Sequence, residues 1–288
     1  MWRKPQSVLP IGVSEWSEGR VRRHEDTIVG EEPLEIRLGT SPLTVTMRTP
    51  GDDLELAAGL LFTEGIVCRR EDIVSLHHSQ EKGHGENVVL VDLAENVVFD
   101  QDRARRNFLA TSSCGLCGKT TIESIRARGV NRPNPELRVE PDVLCRLPAA
   151  LRSAQALFER TGGLHAAAVF NARGELLAVR EDVGRHNAVD KIVGWALLEG
   201  HLPLSERLLL VSGRGGFEIV QEALVAGFPV VASISAASSL AVQLAREMGL
   251  TLVGFLRGER FLLYAGEERL QPLQPVQGGG CEPAVQSA

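Results

Sequence analysis

Two cysteines in the stretch TSSCGLCGKTT, Cys114 and Cys117, stand in a C-x-x-C spacing among glycines and hydroxyl side chains. Sulfur reacts as the thiolate, and a thiol pKa falls beside a cation or a helix N-terminus. Gly115 and Gly118 let backbone amides approach the sulfurs, Lys119 brings a positive charge, and KTTIESIRARG holds helix-forming residues just downstream. Such a pair suits a zinc half-site, a redox dithiol, or a nucleophile that carries a group. Zinc requires four ligands at characteristic spacing. Here Cys68, Cys145 and Cys281 are scattered, and His77 and His78 are adjacent in an expected loop, so no metal is expected. A thioredoxin-like dithiol belongs at a helix start in a βαβ unit, whereas DRARRNFLATSS does not read as a buried strand. Cys145, among Val143, Leu144 and Leu147, reads as a core thiol. Cys68 reads as structural or partly exposed, and Cys281 as incidental.

Four further stretches carry chemistry. EDVGRHNAVDK packs Glu181, Asp182, Arg185, His186, Asn187, Asp190 and Lys191 into one strand-to-helix junction. Asp182 and Asn187 are good helix caps, but so many kinds of group at one sheet edge point to a ligand site. In VSGRGGFEIV, Gly213, Gly215 and Gly216 permit close backbone approach, Arg214 can pair with phosphate, and the following helix start favours an anion. It is neither the dinucleotide fingerprint nor a P-loop, and a tight turn needing glycine is the plain alternative. TGGLHAAAV places His165 at a strand start, where a satisfied core histidine is as good a reading. FLRGERF sets Arg257 and Arg260 around Gly258, a second candidate anion contact.

The elements that position these residues change character along the chain. Up to about residue 125 the sequence is β-rich. LEIRLGTSPLTVTM alternates Leu34, Ile36, Leu38 and then Leu43, Val45, Met47 as a hairpin. Asp52 is placed to cap a helix with Leu54, Leu56, Ala57, Leu60 and Leu61 on its apolar face. Strands NVVLVDL and NVVFD follow the polar loop HHSQEKGHGE. From Pro141 a helical stretch is expected to break near Pro148 and stop at Gly162 and Gly163. LHAAAVF and ELLAVRED then pair as a hairpin, and HNAVDKIVGWALLEG forms an amphipathic helix ending at Gly200. RLLLVSG, FPVVAS and LTLVGFLRG alternate with two helices and imply a largely parallel sheet. The expected organisation is a β-rich N-terminal domain (1–125), an α/β core (126–268) and a disordered tail (269–288).

Composition narrows the function. In 288 residues, 43% hydrophobic content supports a sizeable core, while a net charge of −6 and 5% aromatic residues argue against a nucleic-acid partner. The opening MWRKPQSVLPIGVSEW lacks a signal h-region. The long uncharged run between Glu222 and Arg246 contains Gly227, Pro229 and four serines, so buried core rather than a membrane span is expected. An odd set of five cysteines without secretory context suits a reducing cytoplasm.

In their order, SSCGLCGK, TGGLHAAAVF, EDVGRHNAVDKIVG, SGRGGFEIV and VGFLRGERF resemble the formate dehydrogenase accessory sulfurtransferase family, the FdhD-type sulfur carriers, over roughly residues 24–265. The resemblance implies a cytidine-deaminase-like mixed sheet flanked by helices. It implies a persulfide passed from a cysteine desulfurase through Cys114 and Cys117 to molybdenum bis(molybdopterin guanine dinucleotide), for formate dehydrogenase. Phe255, Leu256, Arg257, Gly258, Glu259 and Arg260 match its cofactor-binding stretch. Gly213, Arg214, Gly215, His165, Arg185 and His186 are expected to complete the site, with GDP as a fragment mimic and a homodimer as the working unit. Cys114 is favoured as the persulfide sulfur. Zinc deaminase chemistry is not implied, because it uses H-x-E before P-C-x-x-C, and here His165 precedes Ala166 and Ala167 and follows the cysteines. The competing readings are a cofactor chaperone that transfers no sulfur and a dithiol oxidoreductase.

Overall fold

The computed structural model describes residues 5–81, 85–97 and 130–271. The chain opens with an antiparallel hairpin of β1 (Val8–Ser17) and β2 (Arg20–Val29), a sheet of its own that leaves most of its residues exposed. The sequence reading did not anticipate it.

A four-stranded sheet follows, in the order β4-β3-β6-β5, built from β3 (Glu32–Leu38), β4 (Ser41–Arg48), β5 (Ile73–His78) and β6 (Val88–Leu93). The expected β3–β4 hairpin forms, but its alternation is broken. The register shifts between Ile36 and Arg37, and beyond this irregularity Val45 and Met47 face outward while Arg48 is buried. Helix α1 (Asp53–Thr63) covers the sheet with Leu56, Ala57, Leu60 and Leu61. Asp52 occupies the cap position with φ 55° yet makes no side-chain cap; its carboxylate stands 3.6 Å from Arg180 instead. His77 and His78 end β5 rather than lying in a loop. NVVFD lies largely outside the described residues, as do KTTIESIRARG and the tail beyond Gln271.

The larger sheet runs β12-β11-β10-β9-β7-β8. Before it come α2 (Pro141–Ala154) and α3 (Ala156–Thr161). Helix α2 continues through Pro148, and the break falls at Gln155. Next are β7 (His165–Asn171), β8 (Leu176–Asp182) and α4 (Arg185–Leu198). Then β9 (Arg207–Val211), α5 (Phe217–Ala226), β10 (Val230–Ser233), α6 (Ser239–Met248) and β11 (Thr251–Arg257) alternate as expected, and an additional strand, β12 (Arg260–Ala265), turns back on β11. Strands β9, β10 and β11 are parallel, whereas β7, β8 and β12 make antiparallel pairs, so the fold is mixed α/β. One hydrophobic cluster fills the face under α4, α5 and α6, and another the face under α2.

Helix α4 departs from the amphipathic expectation because it is buried almost all round. Val189, Ile192 and Val193 pack on the large sheet, while Leu197 joins the core of the small one. Each such side chain contributes roughly 1.5–3 kcal/mol by leaving water. Its second neighbour is α1, at a crossing where Gly59 meets the carbonyl of Asp190 and Gly194 meets the carbonyl of Glu55; a Cβ at either glycine would overlap that carbonyl. Among the described residues no helix is long and apolar enough to cross a membrane.

Candidate functional site

The strand directions bring these four stretches to one edge. His165 begins β7 and pairs with Asp182 at the end of β8. The carboxyl ends of β9, β10 and β11 open beside them at Ser212, Ile234 and the Phe255–Arg260 turn. Main-chain and hydroxyl bonds stitch this edge together: Ser212 N donates to Ala166 O, Ala166 N to Ser212 Oγ (2.9 Å), and Phe255 N to Ser235 O. Open α/β sheets bind ligands at this end of their strands.

Much of EDVGRHNAVDK turns out to be framework. Asp182 and Lys191 form a fully buried ion pair at 2.8 Å. The Lys191 ammonium also donates to Thr49 O and Glu181 O, and Thr49 N donates to Asp182. Glu181 takes the amides of Leu157 and Phe158 at the start of α3. Asn187 donates to Met47 O and Asp182, and Asp190 accepts from the Thr63 hydroxyl at 2.8 Å. Burial first, and then the nearby Glu222 charge, push the Asp190 carboxyl well above the usual range. Charged pairs of this kind hold only when fully bonded. Arg185 and His186 are what the junction offers to the edge.

The two edge histidines have opposite surroundings. The His165 ring lies against Gly213, where a Cβ would come within 3.3 Å of its Nδ1 and 3.6 Å of Arg185 Cβ. It borders a cavity of about 600 Å³ whose other walls include Leu151, Phe158, Ser212 and Ile234. Burial, Arg185 and His186 hold its pKa below the ordinary value, so the ring is neutral at neutral pH. His186 instead faces Glu218 and Glu222, at 2.9 and 3.2 Å. Burial opposes its charge, but the two carboxylates outweigh it and push the pKa up to about 10. Glu218 and Glu222 were not picked out from the sequence, although their spacing on one helix face was a readable signal.

Arg214 projects into solvent from the turn before α5, while Gly215 is buried against Ser233 and bonds Ala236 O and Ser238 N. In the β11–β12 turn Gly258 takes φ 55°, and Phe255 also adopts a left-handed φ of 50°, a conformation that costs a bulky residue of order 1–3 kcal/mol. It leaves the Phe255 ring 39% exposed. With Arg257, Arg260 and Leu262 the ring lines a hollow of about 320 Å³. Leu256 points the other way, fully buried in the core, and Glu259 is exposed. Among the described residues no carboxylate stands within ion-pair distance of Arg185, Arg214, Arg257 or Arg260, which leaves these guanidiniums able to pair with an anion.

Cys68 is exposed, and Cys145 is only partly buried rather than a full core thiol. Burial, Asp142 and Glu259 raise the Cys145 pKa, which keeps it unreactive. Cys114 and Cys117 lie outside the described residues.

The family model for FdhD/NarQ matches residues 29–271. The chain belongs to the FdhD/NarQ family. The β1–β2 hairpin thus falls almost wholly ahead of the shared region. Among its FdhD relatives, a protein of Streptomyces avermitilis named sulfur carrier protein FdhD is 53% identical over 259 residues, spanning 88% of this chain and 92% of the relative. Similarly named proteins of Mycobacterium tuberculosis and Thermoplasma volcanium are 47% and 44% identical, over 88% and 85% of this chain and 95% and 90% of theirs. A crystal structure from Desulfotalea psychrophila, described as a candidate formate dehydrogenase accessory protein, has the same fold with TM-score 0.73 at 24% identity, over 91% of this chain and 99% of that one.

Proposed function

We propose that the protein is a sulfurtransferase that carries persulfide sulfur from a cysteine desulfurase to molybdenum bis(molybdopterin guanine dinucleotide), its bound substrate, and so activates formate dehydrogenase. The observation that carries the reading is the 53% identity, along nearly the full length of both chains, to a protein named a sulfur carrier. The Cys114 thiolate attacks the terminal sulfur of the desulfurase persulfide; that S–S bond breaks and the desulfurase cysteine leaves as thiolate. Attack by Cys117 on Cys114 then releases the sulfur as sulfide to molybdenum. This leaves a Cys114–Cys117 disulfide that a dithiol reductant must reopen.

The unpaired arginines and the glycine turn suit a ligand with pyrophosphate groups, and the Phe255 ring offers a face to a guanine. The reading extends to a cytidine-deaminase-like core beginning near residue 126, a cytoplasmic setting and a homodimer. Intact-mass measurement after incubation with a desulfurase and cysteine is the test: a gain of one sulfur is expected in the native chain and none in Cys114→Ala. A chain that gains no sulfur yet still activates formate dehydrogenase would be a cofactor chaperone instead.

A further inference from the structure

Glu218 and Glu222 lie one turn apart on α5 and grip both nitrogens of one ring. His186 Nε2 is 2.9 Å from Glu218 Oε2, and His186 Nδ1 is 3.2 Å from Glu222 Oε1. Burial raises the Glu222 carboxyl above its ordinary range against the pull of its bond to His186, while the bond to the same ring lowers Glu218, so the three groups titrate as one cluster. Glu222 is the deeper anchor, with its other oxygen, Oε2, buried and without a hydrogen-bond partner among the described residues. His186 sits in the first turn of α4 directly after Arg185, and α5 starts from the Gly213–Gly216 turn. The clamp therefore ties together the two chain segments that meet around Gly213, where the His165 ring and Arg185 converge.

We propose that His186 is a positioning residue: the Glu218–His186–Glu222 clamp ties the first turn of α4 to α5 and so fixes Arg185 and the His165 ring around the Gly213 turn, where they can meet an anionic ligand. The other groups around His186 do not undo this. Asp190, one turn along α4, has its charge opposed by burial and is held by Thr63 from α1; Asp182 is committed to Lys191; Arg185 and His165 bring no negative charge. Both His186 nitrogens are engaged within the protein, so the ring acts through its neighbours rather than by touching the ligand.

The proposal rests on the cofactor reading only for its affinity measurement. Histidine NMR titrations of the full chain supply an independent readout. In the native chain His186 should remain doubly protonated until the pH nears about 10, and His165 should titrate below the ordinary histidine value. Glu218→Gln, at a half-exposed side chain that the fold tolerates, should move the His186 titration down. His186→Gln should move the His165 titration up and weaken GDP binding by about tenfold. A native His186 that titrates near its ordinary value overturns the clamp. Unchanged His165 titration and GDP affinity in His186→Gln overturn the positioning role. If the native chain binds no GDP, the cofactor reading fails while the titrations still decide the clamp.

Discussion

The junction between α1 and α4 and the carboxyl edge of the large sheet both hold charged groups, but they treat them in opposite ways. At the junction Lys191 meets Asp182, and Arg48, itself fully buried, meets Asp53 at 2.9 Å and Asn87 at 2.8 Å. At the edge Arg185, Arg214, Arg257 and Arg260 stand without a carboxylate within ion-pair distance among the described residues. Charge inside the protein is tolerated because each group is answered within the protein. Charge at the edge has no such answer among the described residues, and on the proposed function it meets a ligand instead. Substitution should therefore cost stability at the first place and ligand affinity at the second.

The sharpest way to break the comparison is steric. Gly194→Val drives a side chain into the Glu55 carbonyl and should cost at least about 3 kcal/mol in denaturant titration, or prevent folding. A variant of native stability would mean that the helices do not cross as closely as described. Next in size is Lys191→Ala, which strands the Asp182 carboxylate and should cost about 3–5 kcal/mol; Asp182→Asn in the same chain should recover part of that loss. A smaller effect lies at the boundary between the two regions. His186 is raised in the folded state above its unfolded value of 6.5, so its stabilising contribution is complete below that pH and is lost as pH rises toward about 10. Denaturant midpoints measured along this range should fall in the native chain more than in His186→Gln. The smallest effect on stability belongs to the edge itself. Arg214→Ala and Arg257→Ala should unfold as the native chain does, yet bind GDP roughly tenfold more weakly, as expected for a lost charge-assisted hydrogen bond. Unchanged affinity in both would remove these arginines from the site.

What the sequence disclosed follows the same physical division. The alternation of β9, α5, β10, α6 and β11 is legible because those strands are short, predominantly apolar runs, and because Gly200, Gly227 and Gly249 stop helices with positive φ. The clusters at the edge were legible because their residue types are unusual for a turn. The long hairpin escaped because VLPIGVSEWS and RVRRHEDTIV are mostly exposed on both faces, so no alternation marks them. The second burial of α4 escaped because its partner, α1, lies far away in the chain. The split of EDVGRHNAVDK into framework and site was equally hidden: Lys191 bonds Thr49 from 142 positions away, and His186 finds Glu222 at 36. Only the three-dimensional partners tell a buried ion pair from a ligand contact.

Helix α4 has 14 residues and so spans about 21 Å. At one end it presents Arg185; at the other, Leu197 is embedded in the core of the small sheet, and between them Gly194 is locked against α1. Because Val189, Ile192 and Val193 lie on the large sheet and Leu197 in the core of the small one, α4 is a shared beam whose position both sheets fix, and the place of Arg185 is set by packing on each side of it.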